Sequence, residues 1–358
     1  MFKKIDWYII RKFMGTFLLS IVLIMAITVL FDLTEKLDKM MDNNAPLDKI
    51  IFKYYLNLLP FYFNMFNSLF VFISVIFFTS KLAGNSEIIA MQSCGMSFNR
   101  LLRPYLFCAT IIAIFCFIFG SYIIPPANKV RLEFENEYIK KIKFTDKDNI
   151  QLEIKKGTIL YIQNFDLNQK RGRNFSLEKY DGKTLTSRLI ATTVRWDTLD
   201  RWHVENYTIR EFKGKEEILT QGQHLDTLIN LEPTDLFIST KEIPQMNNTE
   251  LCAYIDRQRN RGVGNLTAFE DEYYKRFATP FAAFILTIMG ASLSAKKVRG
   301  GTGANLGIGI ILSAVYILFQ TFSSSFSVNG SLHPLIAVWL PNFVFAIVAY
   351  IIYRKGPK

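Results

Sequence analysis

The sequence holds only three histidines and four cysteines in 358 residues. None of His203, His224 and His333 belongs to a His-Glu-x-x-His pair, a Cys/His cluster or a Gly-x-Ser-x-Gly elbow. Zinc-dependent and triad hydrolysis therefore have no recognisable residues here. Cys94, Cys108 and Cys116 lie in or beside apolar segments. Cys252 is the lone cysteine of the long polar stretch, which excludes an internal disulfide there. A nucleotide loop is also missing. Gly182-Lys183-Thr184 ends like a Walker motif, but the glycine required five residues before Gly182 is Leu177. The surrounding pattern is a hairpin, not a strand-to-helix turn.

Apolar surface, by contrast, is abundant. Hydrophobic residues make up 50% of the chain and 32 residues are Phe, yet 20% are charged. That mixture suits one chain in two solvents, bilayer and water. Six segments are long and apolar enough to span: about Phe13–Phe31, Tyr54–Thr79, Leu101–Ile124, Phe277–Ser294, Ala304–Phe322 and Leu335–Tyr353. The first follows a basic stretch without a small-residue cleavage site, so it reads as a retained helix.

Charge sets the expected topology. Met1–Lys12, Ser80–Arg103, the Ala295–Gly303 link and the tail after Tyr353 hold thirteen Lys/Arg and two acids, Asp6 and Glu87. The remaining 29 bases and 29 acids cancel, so one side carries the whole +11. By the positive-inside rule both termini are cytoplasmic and the long polar stretch lies outside. The basic balance thus needs no nucleic-acid partner.

The chain then divides at 1–128 (spans one to three, with a cytoplasmic helix near 85–95), 129–245 (a β-domain), 246–276 (a helical connector) and 277–358 (spans four to six). Within about Asn149–Phe237, alternating segments break at Gly157, Asp181-Gly182 and Gly214, which predicts a sandwich, jelly roll or open barrel. "NNTELCAYIDRQRNRG" and "TAFEDEYYKRFATPF" predict two helices leading into span four.

Several polar residues fall inside or beside the spans. Asn57, Asn64 and Asn67, with Pro60 and Ser74, share one face of span two. They can form interhelical hydrogen bonds or line a substrate path. Gly303 and Gly307 have the spacing of close helix packing, or of a moving or dimerising interface. Lys36 and Lys39 follow span one, where ammonium groups can meet lipid phosphates or pair with the loop's own acids.

The segment "GNSEIIAMQSCGMSFNR", residues 84–100, is long for a link between spans. Asn85 or Ser86 can cap a helix with Glu87 in its first turn, and Gly95 can stop it. Ser97 can cap the next helix. Ile88, Met91 and Gly95 share a face that Ile89 and Ala90 widen. No Lys or Arg lies between Lys81 and Arg100 to hold anionic lipid, so a groove on another protein suits this face better than the leaflet does.

These residues carry a resemblance. Ser86-Glu87, the apolar stretch, and Ser93 to Ser97 resemble the LptF/LptG permease family of lipopolysaccharide exporters. So do Lys275-Arg276 and Pro280 at the start of span four, the opening "IDWYIIRKFMGTFL", and the 3+3 arrangement over the entire chain. The resemblance implies six transmembrane helices plus an inserted periplasmic all-β jellyroll-like domain, in a Gram-negative inner membrane. It implies a non-enzymatic transport subunit paired with its LptF/LptG paralogue. An LptB-type ATPase dimer, which alone binds ATP and magnesium, would dock on Ser86, Glu87, Ile88, Met91 and Gly95. Lipopolysaccharide would enter between the permeases, beside spans one and five, and leave through the β-domain toward LptC- and LptA-type jellyrolls. No cofactor would be bound by this chain. G-type members often carry a lysine where this sequence has Asp32, with Lys36 and Lys39 as substitutes; the opening and "EKLDK" resemble the G-type more.

Three rivals have their own signatures. A mechanotransmitting subunit that moves no lipid would have a sealed, polar-filled β-domain. A sensor would want a cytoplasmic signalling domain, which the links are too short to form. A lipid-modifying enzyme would need a convergent acid/base or metal cluster at the outer surface.

Overall fold

The computed structural model describes residues 3–139, 146–166, 169–197, 201–214, 216–229, 231, 233, 242–260, 266–296 and 301–355. Lys297, Arg299 and Lys358 of the charge argument lie outside these residues, as does most of the strand reading beyond 231. The chain forms two units, residues 1–139 with 270–358, and residues 140–269.

The first unit is a helical bundle. Its membrane helices are α1 (Lys4–Asp42), α2 (Leu47–Gly84), α4 (Phe98–Ile139), α6 (Thr267–Ser294), α7 (Gly301–Val328) and α8 (Pro334–Arg354). A seven-residue helix, α3 (Glu87–Ser93), joins α2 to α4. Each spanning helix meets its own backbone hydrogen bonds, the condition for crossing hydrocarbon. α4 passes through a π turn at Phe119–Ile123 just before Pro125 and Pro126, which remove two backbone donors. It continues to Ile139, so the bundle keeps residues beyond the expected boundary at 128.

α2 is the central post. Phe70, Val71 and Val75 pack toward α1 and α4 with Phe13, Tyr105 and Ile112. Phe72 and Ile76 pack toward α6, α7 and α8 with Leu286, Tyr316 and Phe345. Polar pairs tie the helices across these contacts. Ser74 Oγ donates to Ser20 Oγ at 3.2 Å, and Asn305 Nδ2 donates to Ser80 Oγ at 3.1 Å. Tyr316 Oη donates to Asn342 Oδ1 at 2.9 Å, while Asn342 Nδ2 donates to the Ala278 carbonyl at 2.8 Å. Such bonds contribute on the order of 0.6–2 kcal/mol each in a bilayer.

The second unit is built on one antiparallel sheet. Strands β1 (Asp146–Lys155), β2 (Thr158–Asp166), β3 (Arg171–Asp181), β4 (Thr184–Trp196), β5 (Arg201–Lys213) and β6 (Glu216–Leu228) pair in sequence order. All three expected hairpins form. Gly157, Gly182 and Gly214 take φ of 77°, 61° and 66° in their turns, a left-handed conformation open to glycine. Register sets Ile162, Phe175, Ala191 and Tyr207 side by side. With Leu160, Phe165, Val194 and Trp202 they form the apolar face of a jellyroll-like domain. Trp202 is fully buried, and its Nε1 donates to the Leu231 carbonyl at 3.3 Å. The connectivity among the described strands is a meander, with β1 and β6 at the edges. Helix α5 (Asn248–Asn260) follows, burying Leu251 and Ile255.

Candidate functional site

The link between spans two and three is built by local chain chemistry. α2 ends at Gly84, and Ser86 adopts φ 60°, a left-handed kink that turns the chain into α3. Ser86 does not make the side-chain cap bond expected of it; the Asn85 amide instead donates to Glu87 Oε1 at 3.1 Å. Glu87 also accepts from Tyr8 Oη at 3.1 Å, which fastens α3 to the start of α1. α3 stops as expected. Gly95 takes φ 81°, its N–H donates to the Gln92 carbonyl at 2.9 Å, and Met96 N–H donates to Met91 at 3.1 Å. Ser97 Oγ then accepts from Arg100 N at 3.3 Å and caps α4.

The apolar stripe of α3 divides between the bundle and the surface. Ile88 is 1% exposed and Met91 packs beside it, both against the chain's own core near Leu82 and Phe98. Their burial needs no association step, so the intramolecular core takes them first. The face turned outward carries Ile89, 51% exposed, with Ala90, Ser93 and Cys94. Glu87 and Gly95 stay at the two ends of that face.

A half-buried ion pair braces the same end. Asp6 accepts from Arg100 at 2.5 Å and from the Lys3 N–H at 2.7 Å. The Asp6 side chain is 2% exposed and Arg100 24%. α1, α3 and the start of α4 therefore meet at two polar joints, Tyr8–Glu87 and Asp6–Arg100. Periodicity missed both, because each links residues at least 79 apart. Asp6 and Glu87 being the lone acids among many bases was the available signal.

At the far end of α1 the expected lipid-facing lysines part company. Lys36 Nζ donates to Asp32 Oδ1 at 2.7 Å and to Tyr54 Oη at 2.5 Å, and Tyr54 Oη donates to Asp32 Oδ2 at 2.9 Å. The triangle is half-buried and leaves Lys36 little charge to offer. Lys39 is exposed. Asp32 thus acts as the internal partner of Lys36.

The polar stripe of α2 is buried at Asn67 and Ser74 but not along its whole length. Asn57 Nδ2 donates to its own helix at Phe52 and Lys53, 2.9 and 3.0 Å away. Asn64 lies against Gly120 of α4. Asn67 is fully buried, with no hydrogen-bond partner for its amide among the described residues. Among the glycines, a Cβ on Gly309 would run into Ile76 of α2, and one on Gly290 would come within 3.0 Å of Val75. Gly303 and Gly307 face open space with nothing within 4 Å. Within the chain the close helix approaches fall at Gly309 and Gly290, which leaves an interface as the remaining reading for Gly303 and Gly307. Only 17% of the first span's apolar stretch and 22% of the fifth's is buried, against 33% or more in the other four.

The described polar side chains of the β-domain sit in local pairs. Arg171 and Thr193 occupy Glu205, and the Thr193 hydroxyl and then Arg171 hold its carboxyl below the usual range. His203 pairs with Asp226 on an exposed strand. No group of three potential metal ligands occurs among the described residues.

A search of curated proteins returns no match. The family model described as lipopolysaccharide export system permease LptF/LptG matches residues 7–355. That match covers the six membrane helices and the inserted β-domain in one continuous span, and the chain belongs to the LptF/LptG family of lipopolysaccharide export permeases.

Proposed function

We propose that this permease is driven in trans by an ATPase dimer seated on the outward face of α3. The observation that carries the reading is that face itself: Ile89, Ala90 and Ser93 turned out, on a short helix fastened by Glu87 to Tyr8. Movement of the ATPase would pull α3, and the Tyr8 and Arg100 joints would pass the motion to α1 and α4. Ser86, Glu87 and Gly95 set the position of the lever, and Ile88 with Met91 form its root in the bundle. ATP and magnesium belong to the ATPase.

The exposed apolar sides of spans one and five face a paralogous permease, with lipopolysaccharide between them. Gly303 and Gly307 allow close approach there. Lys39 meets lipid phosphate, and Lys36 joins when its Asp32 contact opens. The charge asymmetry supports a topology with α3 and both termini in the cytoplasm and the β-domain in the periplasm. There the β-domain receives acyl chains and passes them to LptC- and LptA-type jellyrolls.

A photo-crosslinker at Ala90, in native membranes, tests the central step. An ABC ATPase in the adduct is the expected result, with little capture from the half-buried Met91 position. A lipid-only adduct at Ala90 makes α3 a leaflet anchor and removes the reading.

A further inference from the structure

A second feature of the bundle lies away from spans one and five. α4, α6 and α8 line an open-sided apolar cavity of about 470 Å³. Leu102 and Leu106 form one wall, Ile285 and Ile288 the second, and Ala346 and Tyr350 the third. Its polar end is closed by Tyr353 Oη, which donates to Asn99 Oδ1. These helices cross the membrane, so the medium at the open side is hydrocarbon.

The size decides between two kinds of occupant. A transmembrane helix about 10 Å across would fill 470 Å³ in roughly one turn, too little to seat a partner helix. A flexible acyl chain fits. The charge around the polar end then selects the head. The Arg354 guanidinium lies 5.9 Å from the Tyr350 ring, and Lys296 Nζ donates to the Lys355 carbonyl at 2.6 Å. Arg103 is exposed and follows Asn99 by one turn of α4. α8 contains no acid, nor does α4 between Phe98 and Ile118. Of the two acids on this side of the bundle, Asp6 is paired with Arg100, and Glu87 accepts from Tyr8 and Asn85.

We propose that this cavity is a binding site for one acyl chain of an anionic glycerophospholipid, its phosphate held by Arg103, Arg354 and Lys355. The lipid wedges span six against span three beside the Asn99–Tyr353 contact. The assignment to the cytoplasmic leaflet rests on the proposed topology; the binding itself does not. The site is therefore separate from the proposed cargo path beside spans one and five.

Native mass spectrometry of the purified full chain, supplied with phosphatidylglycerol or phosphatidylethanolamine of identical acyl chains, tests the proposal. Ala346→Trp fills the cavity from an exposed position, so the fold survives and retention of both lipids falls about tenfold. Arg354→Gln with Lys355→Gln keeps the acyl slot but lowers the preference for phosphatidylglycerol about tenfold. Unchanged retention in the first variant, or unchanged preference in the second, overturns the proposal. So does a polypeptide instead of a lipid captured by a crosslinker at Ala346. Capture of an ATPase at Ala90 is a separate readout, so either reading can fail without the other.

Discussion

Replacing Gly309 by Ala distinguishes the packed face of span five from its open one. Alanine gains about 1 kcal/mol over glycine in a helix interior. At Gly309 the new Cβ falls on Ile76 Cδ1, and it also lies 3.8 Å from a Phe72 ring carbon. Ile76 is fully buried, so its methyl has no free space to swing into. Overpacking of this kind costs about 1–3 kcal/mol. The net change is therefore a loss of roughly 0–2 kcal/mol. Gly303→Ala and Gly307→Ala meet nothing within 4 Å, so the purified chain should gain up to about 1 kcal/mol. Thermal unfolding of the full chain in detergent reads all three. Ile76→Val alone costs about 0.5–1.5 kcal/mol, but it removes the colliding methyl. The double variant with Gly309→Ala should then show a favourable coupling near 1 kcal/mol. If Gly309→Ala stabilises as much as Gly307→Ala, or the cycle shows no coupling, the packing argument fails. The functional half uses Gly307→Leu. It should leave the single chain folded and weaken co-purification with the second permease.

Three further outcomes follow from the geometry. Asp6→Asn leaves Arg100 half-sheltered without its anion; chemical unfolding in detergent should show a loss of about 1–3 kcal/mol, discounted from a fully buried pair because Arg100 keeps some solvent contact. Trp202→Ala empties the centre of the β-domain and should cost about 3–5 kcal/mol, seen as faster proteolysis within residues 146–229, while Trp202→Phe costs less. Glu87→Lys reverses the charge that receives Tyr8 and Asn85; ATPase co-purification and ATP-dependent lipid release should both fall, and intact assembly with intact transport would end the coupling role.

Much of this protein is local, and local features were readable in advance. Span positions depend on apolar length alone. The hairpins at Gly157, Gly182 and Gly214, and the stop at Gly95 followed by the Ser97 cap, depend on backbone conformations only a few residues can adopt or satisfy. The 86–97 segment was distinctive enough to indicate the family. What periodicity does not carry is the identity of the surface across from an apolar face. Ile88 and Met91 form a stripe whether it meets the chain's own bundle or a partner's groove, and only the fold turned it inward and left Ile89 and Ala90 outside. Gly303, Gly307 and Gly309 look alike as small residues, and only the placement of Ile76 gave the close approach to Gly309. For Lys36 the sequence left open lipid phosphate or a nearby acid, and Tyr54, eighteen residues on, closed the triangle with Asp32. The sequence by itself determined which segments enter the membrane and where the chain turns, because those follow from short-range transfer and torsional energies. The tertiary structure alone decided which faces are already satisfied and which remain for lipid or partner, because that depends on neighbours distant along the chain.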